Sequence, residues 1–238
     1  MTNTMPTKAK WMIGTVAAAS LCPLFYGVTT WRMPAWPQLA LLMAAAVLSS
    51  RLKVKLPGMT STMSGNLPVI LLGVTQLGLF GSLLVALTAA VAQSYASGKK
   101  TSAVQFLFNA CTLMNACGLA YLAYHSRFFT AGPGMAMPLV LAAATYFLAN
   151  TAPVAGIIGL TEGVSPIALW AKVFLWSFPN YVIGAGLTAL VSLFTTASGL
   201  VTITAMMAVL FGVYKSYKTY VSHAGQLQPR PMAAAAGR

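Results

Sequence analysis

Apolar residues in this chain come in long runs, and short basic or Pro/Gly-rich breaks separate them. A spanning helix needs about 20 predominantly apolar residues, and helices in a bundle tolerate somewhat fewer. On that ruler residues 11–31 predict a first span. Residues 35–50 predict a second, opening near Pro34 and Pro37 and closing at Arg51. The run 67–96 is too long for one comfortable span and carries GLFGS in its middle. Residues 103–124 and 135–160 predict one span each, and 177–194 with 200–214 predict a closing hairpin around TTASG. Run length thus points to membrane-spanning helices throughout.

Charge turns these runs into a topology. Only 6% of the 238 residues are charged and 58% are hydrophobic, with a mean hydropathy of +0.77. Soluble domains carry about 25% charged residues, so this composition predicts a polytopic membrane protein. The net charge of +13 comes from 14 Lys and Arg against one acid, Glu162. On a soluble chain that balance would suggest nucleic acid. Here the cations stand at the ends of apolar runs, where they set orientation in a bilayer, and no nucleic-acid partner is expected. Arg51, Lys53 and Lys55 precede the run 67–96, and Lys99 and Lys100 follow it. If both clusters face the cytoplasm, the chain between them crosses an even number of times, so two short helices folding back at Gly78–Ser82 are predicted in place of one. Lys172, Lys215 and Lys218 join the same basic face, and only Arg32 and Arg127 fall outside it. The expected fold class is all-α: a polytopic transmembrane helix bundle of about eight crossings, short paired helices included, with both termini cytoplasmic. Residues 1–10 form the cytoplasmic N-terminus, 11–218 one transmembrane domain and 219–238 a disordered tail. The N-terminal run lacks a small-x-small cleavage site and reads as a retained span. The stretch 163–176, with Lys172 and two Trp, suits an interfacial helix.

Two polar features interrupt the apolar pattern. RLKVKLPGMTSTMSGN, residues 51–66, bends at Pro57-Gly58 and then offers Thr60, Ser64 and Asn66 without any acid. It reads either as a re-entrant segment lining a binding cavity or as a plain loop with a helix cap. On the span 103–124, Gln105, Asn109, Thr112 and Asn115 fall within an arc of about 120° on a helix. Such a stripe either bonds to neighbouring helices or walls a ligand cavity; Gln76, Gln93, Asn150 and Asn180 can join either arrangement. Chemistry beyond binding has little to work with. There is no Asp, His125 and His223 lie at a span end and in the tail, and no paired carboxylates or Ser/His/acid set can be assembled. Cys22, Cys111 and Cys117 have no metal-ligand spacing. Neither an enzyme, a metal nor a cofactor is expected, and no intramembrane acid is available to drive proton coupling.

SRLKVKLPGMTSTMSGNLPVILLG, VQFLFNACTLMNA and FLWSFPNYVIGAGLTALVS, in this order and spacing, resemble the multi-span N-terminal membrane module of bacterial diguanylate cyclases and HD-type phosphohydrolases. More loosely, the first block and its paired short helices resemble the substrate-binding subunits of energy-coupling-factor vitamin transporters. The resemblance implies a bacterial inner-membrane module that binds a small ligand and reports or transfers it. Only twenty residues follow Lys218, so the output domain of the signalling proteins is not expected and a partner protein would carry the signal. No docking motif for a coupling protein stands out in the first span.

The expectation is therefore a small-molecule or lipid binding module, sensory or transport-related, in contact with the lipid bilayer, a small hydrophobic or amphipathic ligand and a partner chain. Its candidate cavity residues are Thr60, Ser64, Asn66, Gln76, Gln105, Asn109, Thr112 and Asn115. The alternative is a structural or assembly subunit of a larger membrane complex.

Overall fold

The structure, a computed structural model, describes residues 5–31, 36–55, 62–95, 101–126, 136–193, 203–212 and 214–215, with the backbone alone at 53–55, 62–64, 176, 180 and 193. Thr60, Lys99, Lys100, Lys218, the side chains of Lys53, Lys55 and Ser64, and the tail 219–238 lie outside what it describes. The chain is helical: α1 Thr7–Thr29, α2 Trp36–Arg51, α3 Leu67–Gln76, α4 Leu79–Tyr95, α5 Ala103–Tyr124, α6 Ala136–Glu162, α7 Pro166–Leu169, α8 Phe178–Leu193 and α9 Ile203–Gly212. One small antiparallel ribbon, β1 Lys53–Lys55 with β2 Thr62–Ser64, pairs Val54 with Met63 between α2 and α3. α1, α5 and α6 are long and apolar enough to cross a membrane.

Local chemistry explains several boundaries. The Ser102 hydroxyl accepts from the Gln105 backbone N–H and starts α5. Pro68 and Pro166 sit in the first turns of α3 and α7, where a missing N–H costs nothing. α6 ends on Gly163 at φ +71°, and the Val164 N–H donates back to the Gly159 carbonyl at 3.1 Å. Only a residue without Cβ takes that left-handed turn cheaply. From Pro166 onward the backbone stays helical through a π turn, Trp170–Phe174, and a 3₁₀ turn, Leu175–Ser177, into α8. The segment 163–176 follows the flank of α6: the Trp170 ring lies tilted against Phe147, centroids 5.7 Å apart, and donates to Thr151 Oγ1 at 2.9 Å, while Lys172 stays exposed.

The run 67–96 divides at Leu77–Gly78 into α3 and α4. Ser82 Oγ donates to the Gly73 carbonyl at 2.9 Å. Nine positions along a straight helix would separate those groups by about 13 Å, so the chain reverses here. Ser82→Ala should cost about 1 kcal/mol, the worth of one such bond, and lower the melting temperature in detergent by about 2–4 °C.

Hydrogen bonds and close glycine contacts fix the directions of α1 to α6. Asn66 at the start of α3 bonds Ser49 and Ser50 at the end of α2, and Gln76 at the end of α3 accepts from Gln38 at the start of α2. Ser50 also donates to the Ala89 carbonyl of α4. α2 and α4 therefore run parallel with α3 opposed to both, and Arg51 and Tyr95 line one groove at the same end of the bundle. Gly27, late in α1, packs on the backbone of Phe80, so α1 starts at that same basic end. Asn115 and Gly118 of α5 meet Val16 and Pro23, which sets α5 parallel to α1. Met12 covers Gly156, which brings the end of α6 back to the basic end.

α3 lies at the centre. It packs against α2, α4, α5, α6 and α8, and Pro68 through Val74 are all buried. Around it sits one apolar core that includes Leu42, Leu83, Ala116, Phe147 and Met206. α1 is peripheral: little of it is buried, whereas about half of α5 is, and Trp11 and Phe25 are each 74% exposed.

Candidate functional site

Ten residues of α3 make about 15 Å of helix, half the thickness of a bilayer core. A short helix held inside a bundle leaves its backbone ends to be satisfied by neighbours. Both ends of α3 are tied to α2 by side-chain bonds, and α5 packs alongside. The candidate polar residues distribute over these three places.

At the basic end, Asn66 is 2% exposed and stands at the start of α3 without capping it. Its side chain turns to α2 instead. Ser49 Oγ donates to Asn66 Oδ1 at 2.6 Å, and Asn66 Nδ2 donates to Ser50 Oγ at 2.8 Å. Ser50 in turn donates to the Ala46 carbonyl at 2.6 Å. An amide has two donors and two acceptor lone pairs, so one of each is left over for any further contact. Ser64 lies two residues upstream in β2, its backbone paired with Lys53.

At the opposite end, Gln38 Nε2 donates to Gln76 Oε1 at 2.8 Å, and both residues are partly buried. Asn66 and Gln76 are thus separated by the length of α3.

The stripe on α5 is the third place, and its four members have different environments. Gln105 is exposed at the first turn. Asn115 Nδ2 donates to the Val16 carbonyl of α1 at 3.0 Å, a bond between helices. Asn109 is half-buried and makes no side-chain hydrogen bond among the described residues. Thr112 is 1% exposed, and its hydroxyl has no hydrogen-bond partner among the described residues. A helical threonine ordinarily donates to a carbonyl three or four residues back, so an unpaired hydroxyl at this depth is uncommon. Asn109 and Thr112 are adjacent on one face and are the two members that are at least half-buried without a side-chain bond among the described residues.

A further cluster surrounds Phe147. Trp170, tilted, and Phe178 and Tyr181, edge-on, pack against it with ring centroids 4.8–5.7 Å away, and Asn150 Nδ2 donates to Tyr181 Oη at 3.2 Å. Asn150 is polar in an apolar run, but its partner Tyr181 lies 31 residues further on. The available signal was the i, i+4 pair Tyr146 and Asn150 on α6 together with the unusual aromatic density of 170–181.

His125 closes α5 and stacks on Tyr121 at 4.1 Å, far from Glu162 at the end of α6. Comparison with protein-family models, with curated proteins and with solved structures finds no match to this chain. The fold defines it as an all-helical protein, one short β ribbon aside, with three helices among the described residues long and apolar enough to cross a membrane.

Proposed function

We propose that this chain is a multi-pass protein of the bacterial inner membrane that binds a small hydrophobic or amphipathic molecule and acts, in sensing or transport, through a partner chain. It has about eight crossings with both termini on the cytoplasmic face, on the loop-charge rule and the span lengths. It performs no chemistry of its own. The resemblance to the membrane modules of cyclic-dinucleotide enzymes and to vitamin-binding transporter subunits points the same way. The observation that carries the binding reading is the buried hydroxyl of Thr112, without a partner among the described residues, beside half-buried Asn109. A buried polar group without a partner costs about 1–3 kcal/mol, and a ligand hydrogen-bonded there would recover it.

Thr112→Val tests this with opposite signs for stability and binding. Valine keeps the shape and removes the hydroxyl, so the ligand-free variant melts at the same temperature as wild type or a few degrees higher. Native mass spectrometry of gently solubilised wild type should show a retained small molecule, and Thr112→Val and Asn109→Leu should each retain about tenfold less, the value of one hydrogen bond. A clean ligand-free mass for wild type, or full retention by both variants, contradicts the reading.

The alternative, an assembly subunit, is supported by α1. This helix presents Trp11, Leu21, Phe25 and Tyr26 outward and contributes little to the core. Stoichiometric partner subunits on a ligand-free chain would favour it.

A further inference from the structure

Outside the polar sites, one concave surface on the bundle is built by two parallel helices. The groove between α2 and α4 has a volume of about 790 Å³, within the roughly 300–1,000 Å³ of small-ligand sites. Met43, Val47 and Arg51 form one wall; Leu84, Val91 and Tyr95 form the other. Thr88 also faces it, but its hydroxyl donates to the Leu84 carbonyl of its own helix at 2.8 Å, which leaves the wall apolar. Ser50 bonds the Ala89 carbonyl and holds the two helices together beside the groove.

Polarity changes in one direction along it. Met43 to Arg51 covers about 12 Å of helix, and Leu84 to Tyr95 about 16 Å. Half of a hydrocarbon core is about 15 Å thick. The groove is therefore as long as one leaflet is deep, apolar until its last turn. There the exposed Arg51 and the 87% exposed Tyr95 stand together, the residue types that anchor at a headgroup level. Lys53 and Lys55 follow Arg51 in the chain, while the single acid, Glu162, closes a different helix. A positive end on an apolar trough one leaflet long is complementary to an anionic phospholipid. A helix from a second copy would bring its own cations to the same end of a chain already at +13.

We infer that the α2/α4 groove is a binding site for one anionic phospholipid, an acyl chain lying along Val47 and Val91 and the phosphate bonded to Arg51. This rests on the membrane reading above and is independent of the Thr112 site. An arginine fork suits a phosphate, and the charge-assisted bond it makes is stronger than a neutral one.

The test uses the full chain in phosphatidylglycerol/phosphatidylcholine nanodiscs, released gently and weighed by native mass spectrometry. Wild type retains one phosphatidylglycerol. Arg51→Gln lowers that retention about tenfold, or about 1.4 kcal/mol, and leaves phosphatidylcholine retention unchanged. Val47→Trp and Val91→Trp, at positions already 38% and 36% exposed, evict both lipids without lowering the melting temperature. Lys172→Gln, an exposed cation on another segment, changes nothing. An equal loss from Lys172→Gln means diffuse surface attraction and overturns the site. So does phosphatidylglycerol retained by the two tryptophan variants, or a dimer that Val47→Trp dissociates. Carbonate extraction separates the two levels: a chain washed off membranes by carbonate sinks the membrane reading and this inference together, whereas a carbonate-resistant chain carrying no phosphatidylglycerol sinks the groove alone.

Discussion

Gly118→Val lowers the melting temperature of the solubilised protein by about 10 °C, corresponding to about 3 kcal/mol. A Cβ at Gly118 would lie 2.6 Å from Pro23 Cβ and 3.2 Å from its Cγ. Those atoms belong to a closed ring on a helix and cannot swing aside as the end of a flexible side chain can. The only relief is for α1 to move off α5, and with that movement the Asn115 bond to the Val16 carbonyl is lost too. Valine is larger than the methyl that already fails to fit, so the cost lies toward the upper end of overpacking effects. Gly14, on the same helix α1, has nothing within 4 Å of its added Cβ, so Gly14→Ala should be neutral or stabilising by up to about 1 kcal/mol. Circular dichroism melts of the two variants decide the matter. Equal melting temperatures would remove the α1–α5 contact from the account.

Asn66→Leu is the second large effect, expected at about 3 kcal/mol. The amide carries two bonds in full burial, one from Ser49 and one to Ser50, and each is worth about 0.5–1.5 kcal/mol. Leucine at this position also faces two hydroxyls that lose a partner, which adds part of a desolvation cost. The partners make the prediction specific. Removing polar groups from both sides of a buried contact costs far less than removing one. Ser49→Ala with Ser50→Ala should therefore be much less damaging in the Asn66→Leu background than in wild type, with a coupling of about 1–2 kcal/mol in the thermodynamic cycle. Additive effects would mean that the three side chains do not act together.

Most of the element map could be read from the sequence because apolar run length and breakers carry it. The expected spans 35–50, 103–124 and 135–160 match α2, α5 and α6 to within two residues. The division of 67–96 was legible from the flanking cations together with a run length that one helix could not use; the break falls at Leu77–Gly78, meeting the expected Gly78–Ser82 at its first residue. What hydropathy could not supply was which residues meet across helices. Asn66 looks like a loop residue or helix cap in sequence, yet its partners Ser49 and Ser50 lie on the preceding helix and their pairing depends on α3 turning back. The polar stripe on α5 was visible by spacing, but its members part company once α1 supplies a carbonyl to Asn115 and nothing described reaches Thr112. Gly118 and Gly159 read as generic small residues until Pro23 and Pro166 are seen against them. The α2/α4 groove had no sequence signal, because parallel pairing of those two helices is a consequence of the short helix between them.

If α3 and α4 return the chain to the side it left, cysteine accessibility in oriented membrane vesicles shows it. With Cys22, Cys111 and Cys117 replaced by serine or alanine, single cysteines go to the exposed positions Arg51, Gly78 and Tyr95. A membrane-impermeant thiol reagent should label Arg51→Cys and Tyr95→Cys from one face and Gly78→Cys from the other. Labelling of the 51 and 95 positions from opposite faces would contradict the reversal, and with it the buried half-length helix and the groove beside it.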